Sequence, residues 1–272
     1  MIRFGHHAFN GDIMRNIKLV LEYDGTNYNG WQTQPNQPTV QATVENALAK
    51  LTKTPIQIIG AGRTDSGVHA EGQVANFHTT AQMPLVAFQK GLNATLPRDI
   101  VICSATEVPD EFHARFSATS RRYRYTILHR EYPSALSRQT CYFYQEAIDV
   151  DSINDLCQIL IGKQDFSAFQ KTGSDRLNPI CEVYEAYWWQ DNPYIYFEIE
   201  ADAFLRGMVR AIVGTLLTVN RKSLCTSGAK RDAETELRRI LDARDRAIAG
   251  MSVPAHGLSL ISIKYNAAEI KG

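Results

Sequence analysis

The sequence predicts an α+β protein made of two ferredoxin-like halves, each ordered β-α-β-β-α-β, with antiparallel sheets and a central cleft. Segments that alternate apolar and polar residues indicate strands, and segments with apolar residues three or four apart indicate helices. The same order of segments occurs in residues 15–110 and in residues 111–268, which are the two predicted halves. An N-terminal extension, residues 1–14, precedes them.

The first half starts with a predicted strand over residues 16–23, because Ile17, Leu19 and Leu21 alternate with more polar neighbours. Thr39 is a candidate helix cap, because a threonine hydroxyl accepts a hydrogen bond from a free N–H of the first turn. The helix after it has its apolar residues on one face. The other predicted elements are strands over residues 55–59, 72–80 and 100–108 and a helix opened by Pro84.

The second half repeats this order of elements, and the order alone supports the repeat. Its predicted elements are a strand over residues 121–129, a helix around residues 152–161, strands over residues 182–190 and 194–201, a long apolar helix containing Phe204, Met208 and Ile212, a charged helix with the apolar seam Leu237, Ile240 and Leu241, and a strand over residues 258–264.

Composition excludes several classes of protein and site. Lys plus Arg and Asp plus Glu both number 29, so a nucleic-acid surface must be a local patch rather than a global field. The five cysteines form no Cys-x-x-Cys pair and the seven histidines no His-Glu-x-x-His, so we expect no metal site. With no apolar run of about 20 residues and no secretory signal, we expect a cytoplasmic protein without a membrane span.

The stretch GAGRTDSGVHA, residues 60–70, is the first candidate site. It does not fit a dinucleotide fingerprint, because Asp65 stands at the third glycine position, or a phosphate-binding P-loop, because Val68 follows Gly67. Asp65 therefore becomes a candidate nucleophile or base, and Arg63 beside it would favour the ionised carboxylate. The alternatives are a turn aspartate and an arginine that bridges its own loop. For His69 we favour a structural role.

The second candidate is the stretch EFHARFSATSRRYRYTILHR, residues 111–130. Along a strand, Tyr123 points to one face while Arg122 and Arg124 point to the other. Interleaved aromatic rings and guanidinium groups suit RNA, whose bases stack and whose phosphates attract cations. His113 and Arg115 are candidates for contacts to the RNA backbone. The alternative is a core strand with a solvated basic back.

The third candidate is a pair of arginines, Arg206 and Arg210, which lie four residues apart in FLRGMVRAIVGTL and are therefore predicted to share one face of the long apolar helix. An arginine in an apolar helix is costly unless a carboxylate meets it. Asp65 is a possible partner for Arg210, whereas Arg206 is better explained as a side chain that reaches solvent at the helix edge.

Taken together, GAGRTDSGVHA, FHARFSATSRRYRY and FLRGMVRAIVGTL resemble the tRNA pseudouridine synthase A family, over residues 16–265. This resemblance implies two ferredoxin-like halves with a cleft and a homodimer that binds tRNA across both subunits. It also implies conversion of uridines 38, 39 and 40 of the anticodon stem-loop to pseudouridine, without cofactor or metal.

The resemblance implies roles for four residues. Asp65 is similar to the essential carboxylate that attacks the nucleotide, and Arg210 to its basic partner. Tyr123 is similar to the tyrosine that stacks on the uracil, and Arg63 to the arginine that extrudes or holds the nucleotide. A target in a structured arm must be flipped out of its stack before it can react.

Two other hypotheses stay open. A non-catalytic RNA-binding module would use the basic strand but no chemistry at Asp65. A nucleoside or glycoside hydrolase would pair Asp65 with a second carboxylate, such as Asp24 or Glu71, and release free uracil.

Overall fold

A computed structural model describes residues 14–173, 178–224 and 229–267. Apart from Met14, the predicted extension of residues 1–14 lies outside the described residues. Among the helices of the described residues, none combines the length and the apolar composition needed to cross a membrane.

The strands of the described residues form one mostly antiparallel sheet, which confirms the α+β class. The strands are β1 (Arg15–Tyr23), β2 (Ile59–Gly60), β3 (His69–Thr79), β4 (Ile100–Val108), β5 (Ala118–Leu128), β6 (Tyr142–Phe143), β7 (Gly162–Asp165), β8 (Ile180–Asp191), β9 (Tyr194–Ala201) and β10 (Leu258–Tyr265). Their order is β4-β1-β3-β10-β5-β9-β8-β7, with β2 on β3 and β6 on β5. The strands of both predicted halves thus share one sheet, and the division at residue 110 stays a prediction.

The helices are α1 (Val40–Thr52), α2 (Leu85–Thr95), α3 (Val150–Cys157), α4 (Met208–Leu224) and α5 (Ala229–Ala243). Their apolar residues join those of one sheet face in a continuous core, which includes Leu19 of β1 and Ile127 of β5. The cap at Thr39 is confirmed, because its side chain accepts from the N–H of Ala42. The helix opened by Pro84 is confirmed too.

The strand predicted over residues 55–59 is wrong except for its last residue, since β2 is Ile59–Gly60. Ile56 and Ile58 are buried, as the apolar pattern suggested. However, side chains of α1 take the backbone groups that a strand would pair. Glu45 accepts from the N–H of Ile58 at 3.0 Å, and Gln41 donates to its carbonyl at 3.2 Å.

The long apolar helix begins later than predicted, at Met208. Gly207 precedes it with φ +72°, a left-handed conformation that interrupts a right-handed helix. Phe204 and Arg206 therefore lie before α4, and the prediction that Arg206 and Arg210 share a face of one helix is wrong.

Strand β10 joins the two parts of the sheet. It pairs with β3 in parallel and with β5 antiparallel, so that Leu260 lies in register with Ala70 on one side and Tyr123 on the other. Tyr23 of β1 is also in register with Ala70. Because residues in register point to the same face of a sheet, Tyr23 and Tyr123 lie in one row across four strands.

Two buried asparagines fix the connection between β4 and β5. Asn16 donates to the carbonyl of Phe112 at 2.9 Å, and Asn76 donates to Asn16 Oδ1 at 2.9 Å. The Oδ1 of Asn76 accepts from the N–H of Ala114 at 2.9 Å. This connection is therefore held against β1 and β3 by polar groups that are shielded from water.

We expect Asn76→Ala to lower the free energy of unfolding by about 2–3 kcal/mol, because it leaves buried groups of Asn16 and Ala114 unpaired. Urea denaturation measures this. The control is Gln145→Ala, which removes an exposed hydrogen bond to the carbonyl of Glu131 and should change stability by under about 0.5 kcal/mol. Equal effects of the two substitutions would contradict a structural role of the asparagine pair.

Candidate catalytic site

The loop over residues 61–68, which we call the Asp65 loop, connects β2 to β3 and is tied to the core on both sides of Asp65. Before it, Thr64 Oγ1 lies 2.8 Å from the hydroxyl of Tyr23, and the carbonyl of Thr64 accepts from the N–H of Trp31 at 3.1 Å. After it, the N–H of Gly67 donates to the carbonyl of the buried Tyr28 at 3.3 Å. The carboxylate therefore projects from a backbone held by hydrogen bonds.

Gly30 lets a neighbouring loop pack directly beneath this backbone. Its φ is +86°, and a Cβ added to it would lie 2.4 Å from the carbonyl oxygen of Thr64. A residue with a side chain would displace Thr64 and with it Asp65. The glycine thus belongs to the support of the site, although it is more than 30 residues away in sequence.

Arg210, in the first turn of α4, meets Asp65. Its Nη1 lies 3.3 Å from Oδ2 of Asp65, and the side chains of Arg210 and Asp65 are 21% and 23% exposed. Its Nε donates to the carbonyl of Val253 at 2.8 Å, and the N–H of Val253 donates back to the carbonyl of Arg210 at 3.2 Å. The guanidinium is therefore oriented on one side while it faces the carboxylate on the other.

Tyr123 on β5 lies on the same side of the sheet. The side chain is 8% exposed and packs edge-on against Phe204, with ring centroids 5.1 Å apart. Burial raises the pKa of Tyr123 to about 12; Arg121 opposes this shift and the Asp65 carboxylate adds to it. The hydroxyl is therefore neutral at physiological pH.

Arg63, which was predicted near the site, and Arg206, which was predicted to reach solvent, both lie at the surface. Arg63 is exposed, and its Nε donates to Oε1 of Gln32 at 3.0 Å. Arg206 donates to the carbonyl of Gly173 at 3.3 Å. The roles of Asp65, Tyr123, Arg63 and Arg210 toward a substrate stay predictions.

His69 is a structural residue, as the sequence favoured. Its Nδ1 accepts from the N–H of Gly25 at 3.0 Å, while Nε2 lies 2.8 Å and 3.1 Å from the carbonyls of Gln139 and His256. Because two carbonyls can only accept, Nε2 carries the proton. The ring joins three separate segments at the base of the Asp65 loop.

The carboxylate of Asp24 is engaged locally rather than with Asp65. Its Oδ1 accepts from the N–H and the hydroxyl of Thr26, at 2.9 and 2.6 Å, and lies 3.1 Å from Nδ1 of His69. Glu71, the other carboxylate considered for a hydrolase, is exposed on β3.

Arg122 and Arg124 point away from Tyr123, as strand alternation predicted, but glutamates neutralise them. Arg122 forms ion pairs with Glu185 at 2.6 Å and with Glu198 at 3.0 Å. Its Nε also donates to Glu200 at 2.9 Å, and Arg124 lies 2.6 Å from Glu198. We call this set the arginine–glutamate network. Both guanidinium groups are paired with carboxylates in it, and the role of Arg122 and Arg124 in RNA binding stays a prediction.

The sequence stretch YFEIEA, residues 196–201, carried a signal for this network, because Glu198 and Glu200 alternate with apolar residues on one strand. The sequence does not show which strand pairs with this one, or in which register. In the structure Arg122 pairs with Glu200 and Arg124 with Glu198 across β5 and β9.

Sequence reasoning missed Arg121. Its guanidinium donates to the carbonyls of Ala61 at 3.2 Å, Arg115 at 2.6 Å and Asp202 at 2.7 Å. Burial lowers its pKa, with opposing effects of Tyr265 and Tyr123. Arg121 thus connects the start of the Asp65 loop to the segment that contains His113 and Arg115. Nothing in the run RRYR distinguishes it from its neighbours.

Among the described residues, no three His, Cys, Asp or Glu side chains are grouped so that they could hold a metal ion.

Comparison with known proteins gives a consistent result. A family model described as tRNA pseudouridine synthase matches residues 19–117 and 156–266. This chain is 43% identical to tRNA pseudouridine synthase A 2 of Clostridium perfringens and to tRNA pseudouridine synthase A of Acetivibrio thermocellus, over 93% of this chain and 100% of each relative. It is 42% identical to tRNA pseudouridine synthase A of a Geobacter species, over 93% of this chain and 99% of the relative.

The arginine–glutamate network predicts acid sensitivity. Burial raises the pKa of Glu200, but hydrogen bonds from Lys264, Ser120 and Arg122 outweigh this and bring it below its ordinary value of 4.5. A lowered pKa in the folded state contributes stability above the ordinary value, which is lost as the pH falls through the folded value. We therefore expect the free energy of unfolding to decrease on acidification below about pH 5.

Glu200→Gln should lower the free energy of unfolding by about 2 kcal/mol at neutral pH. It should also reduce the loss of that free energy between neutral pH and acid below about pH 5, and urea denaturation under both conditions measures the two effects. The exposed Glu131→Gln is the matched control and should follow the wild-type profile. If Glu200→Gln also kept that profile, the acid sensitivity would arise elsewhere.

Proposed function

This chain belongs to the tRNA pseudouridine synthase family, and on that premise we propose that it isomerises uridine to pseudouridine at positions 38, 39 and 40 of the tRNA anticodon stem-loop, with Asp65 as the nucleophile. We further propose that it acts as a homodimer in the cytoplasm. The observation that carries the proposal is the contact of Asp65 with Arg210 beside Tyr123.

The proposed reaction rearranges one nucleotide and consumes no second reactant. The Asp65 carboxylate attacks the ribose carbon C1′ while the glycosidic C–N bond to that carbon breaks. The base then turns, and carbon 5 of the uracil bonds to C1′ as the bond between C1′ and Asp65 breaks and the carboxylate is released. The proton on carbon 5 is lost, and the former glycosidic nitrogen gains one from solvent. Because the detached base rejoins the ribose that it left, the enzyme's main task is to position the base for the new bond.

The contacts of the site support this division of roles. Val253 and Asp65 together restrict the guanidinium of Arg210, and the backbone bonds of Thr64 restrict the carboxylate, so neither group has to reorganise when a nucleotide enters. Tyr123 offers a neutral ring, held by Phe204, on which a flipped uracil stacks. Arg63 is exposed two residues before Asp65, where it can contact the RNA.

The position of Asp24 supports an isomerase over a hydrolase. Hydrolysis by two carboxylates requires a second one that faces the first across the scissile bond, about 5–9.5 Å away. Of the two candidates for this second carboxylate, Asp24 directs its Oδ1 to Thr26 and His69, and Glu71 is exposed on β3.

We expect Asp65→Ala to abolish pseudouridine formation, because it removes the nucleophile, while the affinity for tRNA stays within about threefold. The assay is tritium release from tRNA labelled at carbon 5 of uracil, with product analysis for free uracil. Release by the wild type without free uracil supports the isomerase. Release of free uracil would instead indicate a hydrolase, and binding without tritium release by either protein would indicate an RNA-binding module.

Arg210→Lys should lower kcat about 10–100-fold, because an ammonium group cannot bond the carbonyl of Val253 and face Asp65 in the same planar geometry. The matched control is Arg206→Lys, which changes an arginine four residues earlier that donates to the carbonyl of Gly173. It should retain kcat within about twofold. Equal losses in both variants would contradict a specific role of Arg210.

A further inference from the structure

Phe116 is a large apolar side chain that the protein leaves 76% exposed. It lies in the connection between β4 and β5, in FHARFS, and polar side chains of the same segment surround its ring. The ring of His113 lies 4.3 Å from it, tilted by 30°, and the guanidinium carbon of Arg115 lies 5.6 Å from its centroid. We call these three side chains the stacking ledge.

The ledge is built on a closed turn. Nδ1 of His113 accepts from the N–H groups of Arg115 at 3.2 Å and of Phe116 at 3.3 Å. The N–H of Ser117 donates to the carbonyl of His113 at 2.9 Å, and Ser117 Oγ accepts from the N–H of His113 at 3.2 Å. The backbone that carries the exposed ring is thus ordered before any ligand arrives, which reduces the entropy lost on binding.

Burial lowers the pKa of His113, which a backbone hydrogen bond opposes and the charge of Arg115 reinforces. The imidazole is therefore neutral at physiological pH, and Arg115 supplies the positive charge of the ledge. A neutral aromatic surface beside one guanidinium is the combination that binds a base by stacking and its phosphate by charge.

The ledge is connected to the candidate catalytic site through Arg121. The same guanidinium nitrogen of Arg121 donates to the carbonyl of Arg115 at 2.6 Å and to that of Ala61 at 3.2 Å. Ala61 begins the Asp65 loop, and four residues of chain span at most about 14 Å. The ledge therefore lies within a few nucleotide lengths of the carboxylate.

From this arrangement we propose that Phe116, supported by His113 and Arg115, stacks on an unpaired base of the tRNA close to the nucleotide that reacts. The inference rests on the proposed function for the identity of the RNA. The stacking ledge differs from the arginine–glutamate network, in which the guanidinium groups are paired with carboxylates.

The test compares Phe116→Ala, Phe116→Trp and the control Tyr132→Ala in the full-length protein. Tyr132 is an aromatic residue of comparable size and is 68% exposed. Its carbonyl accepts from Arg130, and its segment lies near the turn between β8 and β9. Affinity for an anticodon stem-loop is measured by fluorescence anisotropy at several salt concentrations. The single-turnover rate of pseudouridine formation is measured at saturating RNA.

We expect Phe116→Ala to raise the Kd about tenfold with an unchanged salt dependence, because stacking involves no release of counterions. The single-turnover rate at saturation should stay within about twofold. Phe116→Trp should retain wild-type affinity and quench 2-aminopurine placed beside the target uridine, and Tyr132→Ala should bind as the wild type does. An unchanged Kd in Phe116→Ala, or absence of quenching by both wild type and Phe116→Trp, overturns the proposal.

The readouts separate this inference from the proposed function. If the wild type binds the stem-loop but forms no pseudouridine, the proposed function fails, and the ledge is then judged by the Kd values alone. If the wild type forms pseudouridine and Phe116→Ala binds equally well, the ledge fails while the proposed function stands.

Discussion

The insertion of β10 between β3 and β5 is the constraint on which the rest of the structure depends. It joins strands whose chain segments are far apart, through the register of Leu260 with Ala70 and Tyr123. The Asp65 loop enters β3, and Tyr123 lies on β5, so the placement of one strand sets the distance between them. The contact of Arg210 with Asp65, across 145 positions of sequence, depends on the same junction.

The described arginines on β5 and near the Asp65 loop lie in different environments, and these environments rather than the number of arginines determine what they can bind. Arg122 is neutralised by glutamates on the sheet face opposite the site. Arg121 is surrounded by backbone carbonyls and acts as a connector. Arg63 and Arg115 are exposed near the Asp65 loop. Exposed positive charge beside the Asp65 loop is therefore local, in keeping with the balanced composition.

Much of the fold could be predicted because short-range physics determines it: the alternation in β1 and the cap at Thr39 depend on neighbouring residues alone. The failures have a common cause in longer-range contacts. The segment before β2 has a strand pattern but gives its backbone bonds to Glu45 and Gln41. The left-handed Gly207 delays α4, and the pairing of Arg122 with glutamates depends on strand register. The site was partly predictable because an arginine in an apolar helix is costly unless a carboxylate meets it, which pointed from Arg210 to Asp65.

The late start of α4 has an electrostatic consequence. The aligned peptide dipoles of a helix place about half a positive charge at its N-terminus. Since Gly207 makes α4 begin at Met208, the positive end of this helix dipole lies within the turn that carries Arg210, beside Asp65. Peptide groups thus add to the field of the guanidinium without a further ionisable residue. A chain with zero formal net charge can in this way concentrate a positive potential at the Asp65 carboxylate.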